Sequence, residues 1–377
     1  MQSQTGRPYD VGFSPLSVEP NHFAHKSLSS WAVNIAVGCS HACRFCYVPS
    51  VSTLKQKPSL AKYQVADPDA QWGDYVILRP WNEEVFTKSV QRAERIPRAK
   101  LNKDGNRGVI YCSTTDAYQV FPAAAGEKRK LLEQAARHMV RRSLEIIRDE
   151  STLNIRILTR SPMAVRDFDL FKTFGNRLVF GMSLPTLNDR LLKIYEPRAP
   201  GPDVRLKALQ KAKKAGLHVY VAVAPTYPDC DEADLRATLT AVRDLNPITV
   251  FHEPINLRAQ NVERIEAHAR ELNVSVDTAP LKRRESWRIY AVEQLMLVER
   301  IAEELGLIDV LKLWPDSQLG NAKAFVKAGE YRHRQANGVR REGRHAVQLR
   351  ARQFEQQFPK FEQWLHFWWN RVSAWPT

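Results

Sequence analysis

The sequence predicts an α/β fold in which strand–helix repeats build a parallel sheet. Three observations predict it. Short β-branched runs alternate with segments whose apolar residues recur at helical spacing. The chain is long and apolar enough for one large core, with 377 residues of which 44% are hydrophobic and 26% charged. The residues with chemical potential fall at strand ends, where parallel α/β architectures put their chemistry.

Candidate strands are Val33–Val37, Val109–Cys112, Ile155–Thr159, Leu178–Ser183, Val219–Ala224 and Ile248–His252. Between them lie helical patterns such as Leu131–Ile147 and Leu206–Ala215, the second closed by Gly216. Such alternation implies right-handed crossovers, and six units suit either a partial (β/α)6 barrel of the TIM type or an open doubly wound sheet. The stretch 49–107 reads as irregular, with insertions. Beyond about Pro280 the pattern turns mainly helical, as in Ser286–Glu304, and a possible strand, Asp309–Trp314, follows. The expected organisation is an N-terminal arm (1–30), the α/β unit (31–280) and a basic, aromatic-rich, mainly helical C-terminal extension (281–377).

No window approaches the ~18 uninterrupted apolar residues of a membrane span. The first thirty residues are polar and lack an apolar signal core, so a cytoplasmic location is the expectation. Charge narrows the partners. Fifty-six Lys and Arg against 41 Asp and Glu give +15, a field that favours polyanions such as DNA or RNA. The charge is patchy: Arg332, Arg334, Arg340, Arg341, Arg344, Arg350 and Arg352 share one segment with a single acid, Glu342. A second basic cluster comprises Lys282, Arg283, Arg284 and Arg288. The aromatics Phe354, Phe358, Phe361, Trp364, Phe367 and Trp368 recur mostly at three- and four-residue spacing, which suits packed helices better than base stacking.

Five cysteines are too few for a disulfide scaffold, and three of them crowd into eight positions. Gly38-Cys39-Ser40-His41-Ala42-Cys43-Arg44-Phe45-Cys46-Tyr47 has the spacing C-x3-C-x2-C directly after the first predicted strand. Three thiolates on one tight loop can hold three irons of a [4Fe–4S] cubane. The fourth iron, left without a protein ligand, can be chelated by the amino and carboxylate groups of S-adenosylmethionine (SAM). A structural zinc site would want four ligands, usually as two pairs. Here the only local candidate is His41, on a cramped loop, and no second C-x2-C follows.

On this motif, with an aromatic before the third cysteine, the chain resembles the radical SAM superfamily. Further segments look like its spore photoproduct lyase and DNA-repair-photolyase-like branch: Tyr111-Cys112-Ser113-Thr114-Thr115-Asp116-Ala117-Tyr118-Gln119, Leu158-Thr159-Arg160-Ser161, Arg166-Asp167, Tyr195-Glu196-Pro197-Arg198-Ala199-Pro200 and Val223-Ala224-Pro225. The resemblance covers roughly residues 30–260 and implies a partial barrel of the radical SAM kind. It implies that Phe45 lies beside the adenine, and that Ser113, Thr114 and Asp116 stand where many members carry the Gly-Gly-Glu that receives the SAM amino group. Arg160 occupies the place of a lysine that meets the SAM carboxylate, and it keeps the charge while adding a fork. Ser183 resembles a SAM-contacting serine. Glu196 and Arg198 read equally as ligand contacts or as a salt-bridged loop, and His252, Glu253 and Asn256 could face substrate. Cys112 matches a cysteine that returns a hydrogen atom to the product radical in spore photoproduct lyases. The run here is one residue longer, and a buried core thiol is the competing expectation. Cys230 has only its loop position to recommend it.

The expectation is an enzyme that cleaves SAM reductively at a [4Fe–4S] cluster, with a base in DNA or RNA as substrate and an external electron donor of the flavodoxin or ferredoxin type. Two alternatives stay open: a radical SAM enzyme acting on a small molecule or peptide, and a non-enzymatic nucleic-acid-binding iron–sulfur protein.

Overall fold

A computed structural model describes residues 9–21, 29–101, 107–121 and 126–314, with Asp316 and Leu319. The arginine-rich segment 331–353 and the aromatic tail lie outside the described residues. The strands are β1 (Tyr9–Val11), β2 (Glu19–Pro20), β3 (Trp31–Val33), β4 (Ala36–Gly38), β5 (Val76–Leu78), β6 (Gly108–Tyr111), β7 (Asn154–Thr159), β8 (Leu178–Ser183), β9 (His218–Thr226), β10 (Thr249–Pro254) and β11 (Leu311–Leu313). The helices are α1 (Lys57–Leu60), α2 (Glu83–Glu94), α3 (Gly126–Glu150), α4 (Phe168–Lys172), α5 (Asp189–Tyr195), α6 (Pro202–Lys214), α7 (Glu232–Asp244), α8 (Asn261–Glu271) and α9 (Arg284–Glu304).

The main sheet has the order β11-β10-β9-β8-β7-β6-β3-β2, parallel throughout except for β2. Strands β3 and β6–β10 follow one another in space as in sequence, each crossover carrying helix. This is the strand order expected of a partial barrel. The possible strand near 309–314 forms as β11 and extends the sheet beside β10. Among the described residues no helix is long and apolar enough to cross a membrane.

Alternation along the strands separates two cores. On β7, Ile155 and Ile157 face the helices and join the large outer core with Leu144, Ile147 and Phe180. Arg156, Leu158 and Arg160 lie on the other face. There Tyr220, Ala222, Ala224, Phe251 and Trp314 form a small inner core. The Arg156 guanidinium sits 4.6 Å from the Tyr220 ring centroid and 4.4 Å from that of Phe251, plugging the barrel floor. Gly181 makes room for this plug, since a Cβ there would stand 2.3 Å from the Tyr220 ring.

Two expectations need correction. The run Val33–Val37 is two strands, not one: β3 pairs with β6 in the main sheet, while β4 turns away to pair antiparallel with β5. The break at Asn34-Ile35 aims the following loop across the barrel mouth. The stretch 49–107 is also more ordered than its composition suggests. It holds short helical turns, β5 and α2, whose N-cap Asn82 accepts a hydrogen bond from the Val85 N–H at 3.0 Å. With β1 and β4, β5 makes a separate three-stranded sheet. Its core of Leu60, Val65, Trp72, Tyr75 and Ile77 also takes in Cys39.

Candidate functional site

The cysteine motif occupies the loop after β4, against the C-terminal ends of the barrel strands. Cys39, Cys43 and Cys46 are free thiols that line one cavity together with Phe45, Cys112, Ser113, Thr114, Asp116, Arg160 and Ser183. Glu253, Asn256 and Trp314 complete the far wall. Burial pushes all three cysteine thiols up, and the Arg160 guanidinium pulls against it at Cys43 and Cys46.

The segment after β6 grips this loop from the strand ends. Gln119 Oε1 accepts the Ser40 N–H at 2.7 Å, and its amide donates to Thr115 Oγ1 at 2.8 Å. Thr115 in turn donates to the Gly38 carbonyl at 2.6 Å. Asp116, 4% exposed, is the hub. Its Oδ1 accepts from Thr159 Oγ1 at 2.7 Å and from the Tyr118 N–H at 2.8 Å. Its Oδ2 accepts from the Arg160 N–H at 2.8 Å and lies 3.0 Å from His41 Nε2. Burial pushes the pKa of this carboxyl up, but His41 and the donors prevail and hold it down to about 2. Ser113 and Thr114 are pinned from below by Asn34, whose Oδ1 accepts the Thr114 N–H at 3.0 Å.

Cys112 sits at φ +59° in the left-handed region, which costs a non-glycine residue of order 1 kcal/mol. Its Sγ lies 3.5 Å from the Val33 carbonyl, and burial, then the Asp116 charge, keep the thiol protonated at neutral pH. It is buried, as the competing expectation held, yet it lines the cavity wall.

Glu196 and Arg198 stand away from the cavity lining. Glu196, 1% exposed, takes Arg160 Nε on Oε1 at 3.0 Å, pairs with Arg205 through Oε2 and accepts from Tyr227 Oη at 3.2 Å. Despite burial, which pushes it up, Arg160 and Arg205 hold its pKa down to about 2. Glu196 thus orients Arg160, whose guanidinium carbon lies 5.7 Å from the Phe45 ring centroid. Arg198 donates to the Gly73 carbonyl and to Asp74 Oδ1 at 2.8 Å, and its own N–H donates to the His41 carbonyl at 3.3 Å. His252 turns into the core, its Nδ1 2.9 Å from the Val223 carbonyl, while Glu253 and Asn256 face the cavity. Cys230 packs in the outer core.

Helix α8 supplies residues that sequence reading missed. Asn261 Nδ2 donates to the Phe45 carbonyl at 3.2 Å. Arg264 donates from Nε to the Arg44 carbonyl at 3.2 Å and from Nη2 to the Cys46 carbonyl, and it pairs with Asp69. Their three-residue spacing puts both on one helix face, but nothing local marks that face as buried.

The model of the radical SAM superfamily matches residues 33–242. The uncharacterized protein ORF301 of Acidianus two-tailed virus is 33% identical over 270 residues, 69% of this chain and 79% of that protein. The uncharacterized protein MJ0683 of Methanocaldococcus jannaschii is 22% identical over 61% of this chain and 72% of that protein. Among solved structures, a spore photoproduct lyase point mutant superposes with a TM-score of 0.55 at 16% identity, covering 81% of this chain and 80% of that one. A double mutant of that lyase with AdoMet and a dinucleoside spore photoproduct bound gives 0.55 at 15% identity over the same shares. At these identities the structures speak for the fold, and the family match rests on the sequence. The chain belongs to the radical SAM superfamily and is an enzyme of that kind.

Proposed function

We propose that Cys39, Cys43 and Cys46 hold a [4Fe–4S] cluster at which SAM is reductively cleaved, and that the substrate is a base in DNA or RNA. The observation that carries the cluster is the shared cavity: three free thiols from one loop open into the space lined by Ser113, Thr114, Arg160 and Ser183. The donor set fits. A cubane takes each of three thiolates at its own corner and leaves one iron without a protein ligand. Ser40 Oγ is buried in the loop with no hydrogen-bond partner among the described residues, a hydroxyl whose hydrogen bond inorganic sulfide could accept. A cluster held by these three cysteines would supply the one electron that splits SAM into methionine and a 5′-deoxyadenosyl radical, the species that would take a hydrogen atom from the substrate.

The surrounding side chains have distinct parts in this reading. Arg160, oriented by Glu196, presents its remaining guanidinium donors to the SAM carboxylate. Ser113 and Thr114 offer hydroxyls to the ammonium, and Phe45 packs beside the adenine. Asp116 spends its carboxylate on His41, Thr159 and backbone N–H groups, so its part is to fix the loop and the strand end rather than to bind SAM by itself. The return of a hydrogen atom is assigned to Cys112, a reading supported by its position on the cavity wall. Glu253 and Asn256 face the substrate side.

The nucleic-acid substrate is supported by the +15 charge and the photoproduct-lyase-like motifs. The electron comes from an external flavodoxin- or ferredoxin-type donor, and the location is cytoplasmic. Anaerobic reconstitution with iron and sulfide, then dithionite and SAM, is expected to release 5′-deoxyadenosine; its absence overturns the cleavage reading. Oligonucleotide binding is expected to weaken steeply with salt. No binding at low salt would turn the substrate towards small molecules or peptides.

A further inference from the structure

The 49–78 region packs on the cysteine loop through the small sheet and its core, and it also reaches that loop through a buried charge pair. Asp69 is 2% exposed and Arg264 is 7% exposed. Asp69 Oδ2 accepts the Gln260 N–H at 2.8 Å just before α8, and its other oxygen pairs with Arg264. Arg264 then donates to the carbonyls of Arg44 and Cys46, the backbone that carries two of the three cysteines. Both members are out of water, so their charges act over short distances in a medium that screens poorly.

A buried ion pair is a costly way to brace a loop. Continuum arguments and substitution experiments on other proteins show that apolar packing of similar volume is often as stable or more so. Asn261, one turn earlier on the same face of α8, braces the Phe45 carbonyl with a neutral amide at 3.2 Å. The loop therefore already has an uncharged brace beside the charged one. What a guanidinium adds is a fixed positive charge against the peptide groups of the cysteine loop, and what Asp69 adds is partial cancellation of it.

We infer that Arg264 is a positioning residue that raises the reduction potential of the centre held by the cysteine loop, and that Asp69 limits this rise. The inference rests on the cluster reading above. Reduction adds negative charge, so a buried cation nearby stabilises the reduced state and a buried anion opposes it. The two residues act with opposite sign on the same quantity, which a purely mechanical brace does not do.

The test uses the full chain, reconstituted anaerobically with iron and sulfide. Iron and sulfide contents and the midpoint potential are read by redox titration followed by electron paramagnetic resonance. Arg264→Gln is expected to move the midpoint to more negative values and Asp69→Asn to less negative ones. If Arg264→Gln does not retain the centre, Asp69→Asn decides, since it leaves both hydrogen bonds that Arg264 donates to the loop carbonyls in place. Shifts of the same sign, unchanged midpoints, or loss of iron from both variants overturn the inference and leave the pair a scaffold. A wild-type chain that takes up no iron and sulfide, or shows no signal on reduction, refutes the cluster reading instead.

Discussion

Two sets of polar residues surround the cysteine loop, and they differ in where their hydrogen bonds go. The braces, Glu196, Arg198, Asn261 and Arg264, spend their polar atoms on protein: on other side chains, or on the carbonyls of His41, Gly73, Arg44, Phe45 and Cys46. The strand-end wall, Cys112, Ser113, Thr114, Arg160 and Ser183, faces the cavity. Residue type does not separate the sets, since both contain arginine. The difference is direction, and direction follows from the pleat of the strands and from the elements that pack behind the loop. Charged residues behind the loop therefore hold it, and those in front face the cavity.

The largest effect expected from breaking this division lies in the braces. Glu196→Ala leaves Arg205, whose side chain is fully buried, without its carboxylate. A broken buried pair costs about 3–5 kcal/mol, to be read in urea unfolding. A loss under about 1 kcal/mol would show the brace to be screened like a surface pair.

A comparable but pH-dependent effect is expected at the end of β10, where His252 and Glu253 point to opposite sides. Burial holds the His252 pKa down to about 4 from an ordinary 6.5. Its folded value is depressed, so the unfolded chain binds the extra proton between these two values. Stability is complete above pH 6.5 and is lost as pH falls towards 4, by about 3 kcal/mol. His252→Asn is expected to flatten that part of the stability profile. An unchanged slope between pH 4 and 6.5 would mean that His252 is not a buried neutral ring.

The smallest structural effect is expected on the wall. Cys112→Ala should change stability by about 1 kcal/mol or less and leave iron content unaltered. Its consequence should appear in the chemistry, as altered product distribution and altered solvent-deuterium uptake once a substrate is in hand. Unchanged deuterium uptake would assign the thiol to packing.

Much of this was legible in the chain itself. The strand–helix alternation from 108 to 254 needed only local patterns, because each unit buries a β-branched run against a helix that follows it directly. Departures came where partners are distant in sequence. Asn34-Ile35 offers no glycine or proline to mark the break between β3 and β4; the switch arises because β5, some forty residues on, competes for the second half of the run. Glu196 could be narrowed to ligand contact or salt bridge, but its partners, Arg160 and Arg205, come from different elements. Asn261, Arg264 and Asp69 gave no signal, since a polar residue on a helix or loop reads as solvated until something covers it.

By itself, then, the sequence determined the cysteine motif, the family and the parallel strands whose ends line the cavity, for these depend on spacing and period along the chain. Only the tertiary structure decided which charged residues face the cavity and which lock the loop from behind. That choice depends on burial, and burial is made by elements that meet only when the barrel and the small sheet pack together.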